Sequence, residues 1–207
     1  MKNHFTEEHK RRRLIALCPA RWVQRHDAVI IFKELYMVVC SLLQNFADRG
    51  DATVSAEALR LHSAVTKPVF IVTLCVAEAL MAKTLHLSKA LQSPTIHLAE
   101  ALDAIDRVVA SLQTMRSNSS TSFRPIFSSA EILAKNAEVE LVVPRRSGRQ
   151  VYRNNTNMEE PIDYFRVTAF IPFIDHLLSE LMRRFADRPS QLIFQELLPA
   201  LTPSTKF

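Results

Sequence analysis

Residues 98–112, with the sequence LAEALDAIDRVVASL, carry the clearest secondary-structure signal in the chain. Five apolar residues recur there at alternating spacings of four and three: Leu98, Leu102, Ile105, Val109 and Leu112. This spacing places them on one face of an α-helix and turns the charged residues between them away. The stretch therefore predicts an amphipathic helix that packs on a core through a single stripe.

Helical patterns continue on both sides of this stretch. We expect helices at about 26–48, at about 53–65, from Pro68 to about 88, from Ser93-Pro94 onward, from Ser122 to about 139, at about 159–187 with a kink at Pro172, and near 190–200. The 26–48 helix has a narrow polar stripe and should be mostly buried, with Gly50 as its C-cap.

Glycine is scarce, with two residues among 207. A phosphate-binding loop or a β-sandwich needs several glycines at turns, so both fold types are disfavoured. We predict an all-α bundle of about six to seven helices. In domain terms, residues 1–13 form a basic lead-in, and residues 14–207 form a single helical domain with an Arg-rich exposed loop at about 140–158.

Charge and cysteine content set limits on compartment and partners. There are 26 Lys and Arg residues against 21 Asp and Glu residues, a net charge of +5, which permits an anionic partner without requiring one. The three cysteines are widely spaced, so core positions in a reducing compartment are expected.

We expect no apolar run of the roughly 18–20 residues that a membrane span needs, and the polar residues 1–13 do not resemble a secretory signal.

No residue pattern indicates an enzyme, a metal site, a cofactor or a small-molecule ligand. The seven histidines form no zinc-ligand spacing, and His26 beside Asp27 is adjacency in sequence and does not imply pairing. Glu100, Asp103 and Asp106 lie opposite the apolar stripe, so we expect them to face solvent. The prediction is that the chain has no catalytic residue and no metal ligand.

Two arginine clusters are the candidate nucleic-acid contacts. The first surrounds the only tryptophan, at Arg21, Trp22 and Arg25, and an arginine beside an exposed aromatic ring can hold a phosphate and stack a base. The second lies in the loop, at Arg145, Arg146, Arg149 and Arg153. The alternatives are that Trp22 anchors helix packing and that the loop is a flexible surface segment.

The segment LCPARWVQRHDA at residues 17–28 resembles the C-x-T-R-W-x-x-R signature of hAT-type (hobo/Activator) transposases and their domesticated relatives. It is most similar to the branch of zinc finger MYM-type proteins and a THAP-domain repressor, although Ala20 replaces the usual threonine. Further matches follow in the family's order: residues 88–92, the loop with Pro144, Arg145, Arg146, Gln150 and Arg153, residues 170–175, and the sequence around Glu180 and Arg183–Phe185.

This resemblance implies that the chain lies within the helical insertion of an RNase H-like core, with the three catalytic carboxylates of that core outside it. It implies a nuclear, DNA-facing helical module in which Arg21 and Trp22 correspond to the family's DNA-contacting pair. Two alternatives remain: a protein-interaction or dimerisation module that has lost DNA chemistry, and a non-functional remnant. The expected partners are therefore DNA, another protein or a second copy of the chain.

Overall fold

The computed structural model describes residue 14 and residues 22–91, 98–144 and 158–185, and this part of the chain is helical without strands. This confirms the all-α prediction. The predicted helix start at Ser93-Pro94 and the predicted helix near 190–200 lie outside the described residues. The elements are α1 (Trp22–Glu34), α2 (Tyr36–Arg49), α3 (Ala52–Val65), α4 (Pro68–Leu91), α5 (Leu98–Ser117), α6 (Ser119–Asn136), α7 (Pro161–Phe165), a π-helical turn (Arg166–Phe170) and α8 (Ile171–Arg184).

Helix α4 lies at the centre of the fold. It packs against α1, α5, α6, α8 and the π-helical turn. Its buried side chains point in several directions around the helix: Ile71, Val72, Leu74, Cys75, Val76, Leu80, Met81, Thr84 and Leu87. A helix that is apolar on most sides can be stable in water only when neighbours cover it, and here they do.

Within the described residues, α4 is also long and apolar enough to cross a membrane. Helices α1 and α2 pass the same test only when they are counted together across a 68° bend. The expectation that no run has this length is therefore wrong for α4, because Glu78 and Lys83 do not interrupt it enough. The burial of α4 among other helices is the arrangement of a core helix, which sufficiently explains its composition.

The predicted helix at 26–48 is two helices. The chain breaks at Leu35, whose backbone (φ −92°, ψ 4°) leaves the helical region, and α2 turns by 68° away from the end of α1. No glycine or proline marks this break. It allows α1 to pack along α4 while α2 packs on α3. The prediction that this stretch is mostly buried fails in the second half of α2, where Leu42 and Phe46 are each 52% exposed.

Gly50 ends α2, as the sequence predicts, but through close approach and without a left-handed backbone. Its φ is −71° and its N–H donates to the Phe46 carbonyl at 2.9 Å. A Cβ at this position would lie 2.6 Å from that carbonyl oxygen, which leaves room only for hydrogen. Asp51 then caps α3 by accepting from the backbone N–H groups of Thr53 and Val54.

The last long helix is not continuous α-helix. The predicted kink at Pro172 is realised as the π-helical turn immediately before it, where the Ile171 N–H donates to the Arg166 carbonyl. Because proline has no N–H and its ring crowds the carbonyl four residues earlier, a wider turn accommodates it. Helix α6 begins at Ser119, before the predicted start at Ser122, so Pro125 lies inside this helix.

Helix α6 ends at a left-handed residue. Glu138 has a φ of 55°, the one positive value outside glycine among the described residues. The Val139 N–H donates to the Ala134 carbonyl at 2.9 Å and the Glu138 N–H to the Lys135 carbonyl at 3.1 Å, the bond pair of a Schellman motif. Glycine is the usual residue at this position.

Replacing Glu138 with glycine is expected to raise the free energy of unfolding by about 0.5–1 kcal/mol, because glycine adopts this backbone without a Cβ clash. Urea unfolding of both proteins measures the difference. The matched control is Lys135→Gly in the last turn of the same helix, which should lower stability by about 0.5–1 kcal/mol. A loss of stability in the Glu138 variant would contradict the assignment of Glu138 to the left-handed position of a Schellman motif.

Candidate nucleic-acid interface

The Arg-Trp pair lies where α1 begins. Trp22 is the first residue of α1, Arg21 lies outside the described residues, and the side chain of Trp22 is also outside them. The first turn of α1 contains no acidic residue. The positive end of the helix dipole therefore faces no carboxylate of its own turn, which favours an anion nearby.

Arg25 follows one turn later and lines a groove. The groove has a volume of about 270 Å³ and lies between the start of α1 and the ends of α4 and α8. Its floor is apolar, formed by Leu87, Leu91, Leu177, Leu181 and Phe185. Its polar lining consists of Arg25, Thr84, Ser88, His176, Glu180 and Arg184. The fold thus places Arg25 beside Arg184, a residue nearly 160 positions away that was not predicted to belong to the site.

The rim of the groove is positive but partly neutralised. Arg183 Nη2 donates to Glu180 Oε2 at 2.8 Å, and Arg184 Nε lies 3.4 Å from the same oxygen. The hydrogen bond from Arg183 is the main reason that the pKa of Glu180 falls to about 2. Among the described residues that line the groove, two guanidinium groups, those of Arg25 and Arg184, stand beside one carboxylate, that of Glu180.

His26, which follows Arg25 in α1, is buried. Only 4% of it is exposed, and neither ring nitrogen has a hydrogen-bond partner. Its Nδ1 lies 3.7 Å from the Asp27 carboxylate, outside hydrogen-bond range. The two neighbouring side chains therefore come within ion-pair distance without sharing a hydrogen bond. In the part of the chain that the structure describes, no group of three or more His, Cys, Asp or Glu residues could hold a metal ion.

The four loop arginines, Arg145, Arg146, Arg149 and Arg153, lie outside the described residues. The base of their loop is described, and it is acidic. A cleft of about 730 Å³ there is lined by Glu131, Glu138, Glu140 and Glu160, with Arg124 and Lys135 as the cations. The described side chains of this cleft, four carboxylates and two cations, do not by themselves favour phosphate.

A polar cluster between α1, α4 and α6 superficially resembles a Ser–Lys nucleophile pair. Lys33 Nζ donates to Ser129 Oγ at 3.0 Å and also pairs with the Glu78 carboxylate. In this contact the lysine donates and the Ser129 hydroxyl accepts, which is the reverse of the contact that a general base makes. Nearby Cys75 is 1% exposed, and burial raises the pKa of its thiol, as it does for Cys40. The cluster therefore connects three helices and offers no activated nucleophile.

The solvent-facing prediction for α5 is confirmed, since Glu100, Asp103 and Asp106 are exposed while Leu102, Ile105 and Leu112 are buried. Cys40 and Cys75 are buried free thiols, as expected.

Taken together, the described residues form an all-helical protein with a basic groove at one end. The chain is 25% identical over 206 residues to a mouse protein named "52 kDa repressor of the inhibitor of the protein kinase". It is 24% identical over 196 residues to the human protein of the same name. These alignments cover 97% and 92% of this chain but 27% and 26% of the relatives, so the chain spans about a quarter of their length. No family model and no solved structure matches.

Proposed function

We propose that the chain is the helical insertion of a hAT-like, transposase-derived protein, that it contacts nucleic acid in the nucleus, and that it has no catalytic activity of its own. The observation that carries this proposal is the groove that Arg25 shares with Arg184, because Arg25 lies one turn after the start of α1 at Trp22. The proposal that catalysis is absent rests on the resemblance, which leaves the family's carboxylates outside this chain.

The chemistry of this end suits a phosphate backbone with one or more unstacked bases. Guanidinium groups form charge-assisted hydrogen bonds with phosphate oxygens, and the start of a helix adds backbone donors. The apolar floor of the groove gives an unstacked base a surface to cover. None of these contacts reads base sequence, so we expect binding that tolerates many sequences.

The similarity to the mouse and human repressors supports only the part of this proposal that makes the chain one region of a longer protein. Their name describes repression of a kinase inhibitor, and it does not state what they bind. We propose that this chain corresponds to one region of such a longer protein. Within that protein, the groove would be one of several contacts, and a weak affinity of the isolated region is what we expect.

Hairpin DNA should bind this chain weakly and with strong salt dependence. With about three phosphate contacts, affinity should fall roughly 10- to 100-fold between about 50 mM and about 200 mM salt, because bound counterions are released. Trp22→Ala should weaken binding by about 5- to 100-fold if the ring stacks on a base. Fluorescence anisotropy of labelled hairpin DNA measures both effects.

Matched controls separate this site from general basicity. Arg21→Ala and Arg25→Ala should each weaken binding, whereas Arg60→Ala should not, because Arg60 is exposed on α3 and already pairs with Glu57. The proposal fails if no binding is seen at the lower salt concentration. It fails equally if Trp22→Ala and Arg60→Ala bind DNA alike.

A protein-contact function is the second candidate, and the exposure of Leu42 and Phe46 on α2 favours it. Soluble proteins seldom leave neighbouring large apolar side chains half exposed without a partner.

A further inference from the structure

Helices α2 and α3 form a hairpin that is joined to the rest of the fold through the start of α2 and the end of α3. Ser55 Oγ donates to the Ala47 carbonyl at 2.5 Å, which fixes the antiparallel register of the two helices. Along α3 the only buried residue is Ala58, and along α2 the buried residues are Tyr36 and Cys40. The far end of the hairpin, around Gly50, therefore contributes little to the main core.

Four large apolar side chains remain exposed along one side of this hairpin: Leu42, Phe46, Val54 and Leu61. On α2, the residues Leu43 and Ala47 face α3, and Leu42 and Phe46 come directly before them. On α3, the residues Ser55 and His62 face α2, and Val54 and Leu61 come directly before them. In an antiparallel helix pair, residues one position before the contact positions lie on the same side of both helices. We call this surface the hairpin seam.

The contact between Ser55 and Ala47 sets which seam residues lie level across the two helices. Leu42 lies close to the level of Leu61, whereas Val54 lies nearer the turn than Phe46, and its side chain approaches Gly50. The opposite side of the hairpin faces the body and lines a cleft with the end of α6, through residues that include Ser41, Gln44, His62 and Asn136. The seam is therefore the side of the hairpin that the fold leaves open.

We propose that the hairpin seam binds the seam of a second copy of this chain, forming a two-fold symmetric four-helix interface. Two antiparallel helix pairs that meet through apolar stripes are the packing unit of a four-helix bundle. A two-fold interface requires a surface that complements itself, and a seam of four exposed apolar side chains on one side of the hairpin meets that requirement. This inference goes beyond the nucleic-acid proposal and uses none of its residues.

Charge favours a second copy over a charged partner. The carboxylate at the seam, Glu57, accepts a hydrogen bond of 2.8 Å from Arg60 Nε on the same helix. Its pKa falls below the ordinary value, chiefly because of this hydrogen bond. The seam is therefore locally neutral in a chain with a net charge of +5. Neither an acidic protein nor DNA gains attraction there, and two copies meet there without repulsion.

The size of the seam predicts a weak dimer. Each helix of the hairpin has 14 residues. At 1.5 Å per residue and about 10 Å per helix width, the hairpin side measures roughly 20 by 20 Å, or about 400 Å² per copy. Two copies together bury about 800 Å², below the roughly 1,200–2,000 Å² of stable interfaces. We therefore expect exchange between monomer and dimer at micromolar to millimolar concentrations.

Sedimentation velocity of this chain over a range of about 5 µM to about 500 µM tests the proposal. We expect the weight-average mass to rise with concentration, and Leu42→Glu should abolish the rise. The control is Leu59→Glu, which changes the same residue type at the same exposure of 52%, on the other side of α3. Leu59→Glu should sediment like the unchanged chain.

A second seam variant, Leu61→Glu, guards against misfolding at one position, and the far-UV circular dichroism of each variant must match that of the unchanged chain. A strictly monomeric chain at the highest concentration overturns the proposal. So does a dimer that survives both seam substitutions or that Leu59→Glu disrupts equally. DNA anisotropy is measured separately, because the seam variants leave α1, α4 and α8 untouched.

Discussion

Replacing Phe123 with alanine is expected to cost about 3–5 kcal/mol of unfolding free energy, the range observed for large aromatic residues in well-packed cores. Phe123 on α6 is completely buried. Its ring centroid lies 5.1 Å from that of Phe170 and 5.7 Å from that of Phe127. The ring therefore joins α6 to the π-helical turn. Removing it opens a cavity that rigid neighbours on two elements cannot close.

Urea unfolding followed by circular dichroism measures this cost. The control is Ile132→Ala on the same helix, where the side chain is 65% exposed, and the loss should stay within about 0.5 kcal/mol. A loss below about 1.5 kcal/mol for Phe123→Ala would show that the aromatic cluster is loosely packed. Since native proteins are typically stable by only about 5–15 kcal/mol, this loss is a large fraction of the total free energy of unfolding.

The second large effect concerns Tyr36, at the start of α2. Tyr36 is completely buried, and its hydroxyl donates to the Val65 carbonyl at 3.0 Å. Tyr36→Ala is expected to cost about 3–5 kcal/mol, because it leaves a cavity between α2 and α4 and also frees that carbonyl. Tyr36→Phe keeps the ring and should cost only about 1 kcal/mol. Equal losses for the two variants would contradict the assignment of most of the stabilisation to the ring and the smaller share to the hydroxyl.

The same hydroxyl makes stability depend on pH. Burial, with smaller contributions from Cys40 and Cys75, raises the pKa of Tyr36 well above its ordinary value of 10.0. The folded chain thus holds this proton more tightly than the unfolded chain. The stabilisation is complete below about pH 10 and is lost as the pH rises further. Tyr36→Phe should remove this part of the alkaline loss, as urea titrations at about pH 9 and about pH 11 would show.

Burial also raises the pKa values of Cys40 and Cys75 above their ordinary 9.0, so a share of the alkaline loss should persist in Tyr36→Phe. Identical pH profiles of the two proteins would contradict the role assigned to the Tyr36 hydroxyl.

The residue pattern predicted the parts of the fold that depend on periodicity. The stripe at Leu102, Ile105 and Leu112 is buried as expected, because one face of a helix can reach the core only at that spacing. The break at Leu35 could not be predicted in this way. No local breaker causes it, and it follows from the separate packing of α1 on α4 and of α2 on α3. Tertiary contacts outweigh helix propensity at such a position.

The candidate site was only partly predictable for a similar reason. Arg25 was proposed from its place in the Arg-Trp segment, and the structure locates it in a groove. Arg184 and His176 share that groove because α8 ends beside the start of α1, a proximity that no sequence spacing encodes. The Arg183-Arg184 pair near the end of a helix was the available signal. Its partner, Glu180, lies on the same turn and was equally visible.

The π-helical turn at Arg166–Phe170 has a consequence for comparing this chain with more distant sequences. Such a turn holds one residue more than an α-helical turn, and each residue rotates the following helix by about 100°. Phe165 before the turn and Ile174 after it both reach the core only because that extra residue is present. A relative that lacks it would direct the side chains of its last helix elsewhere. A gapless alignment across this segment would therefore match buried positions with solvent-facing ones.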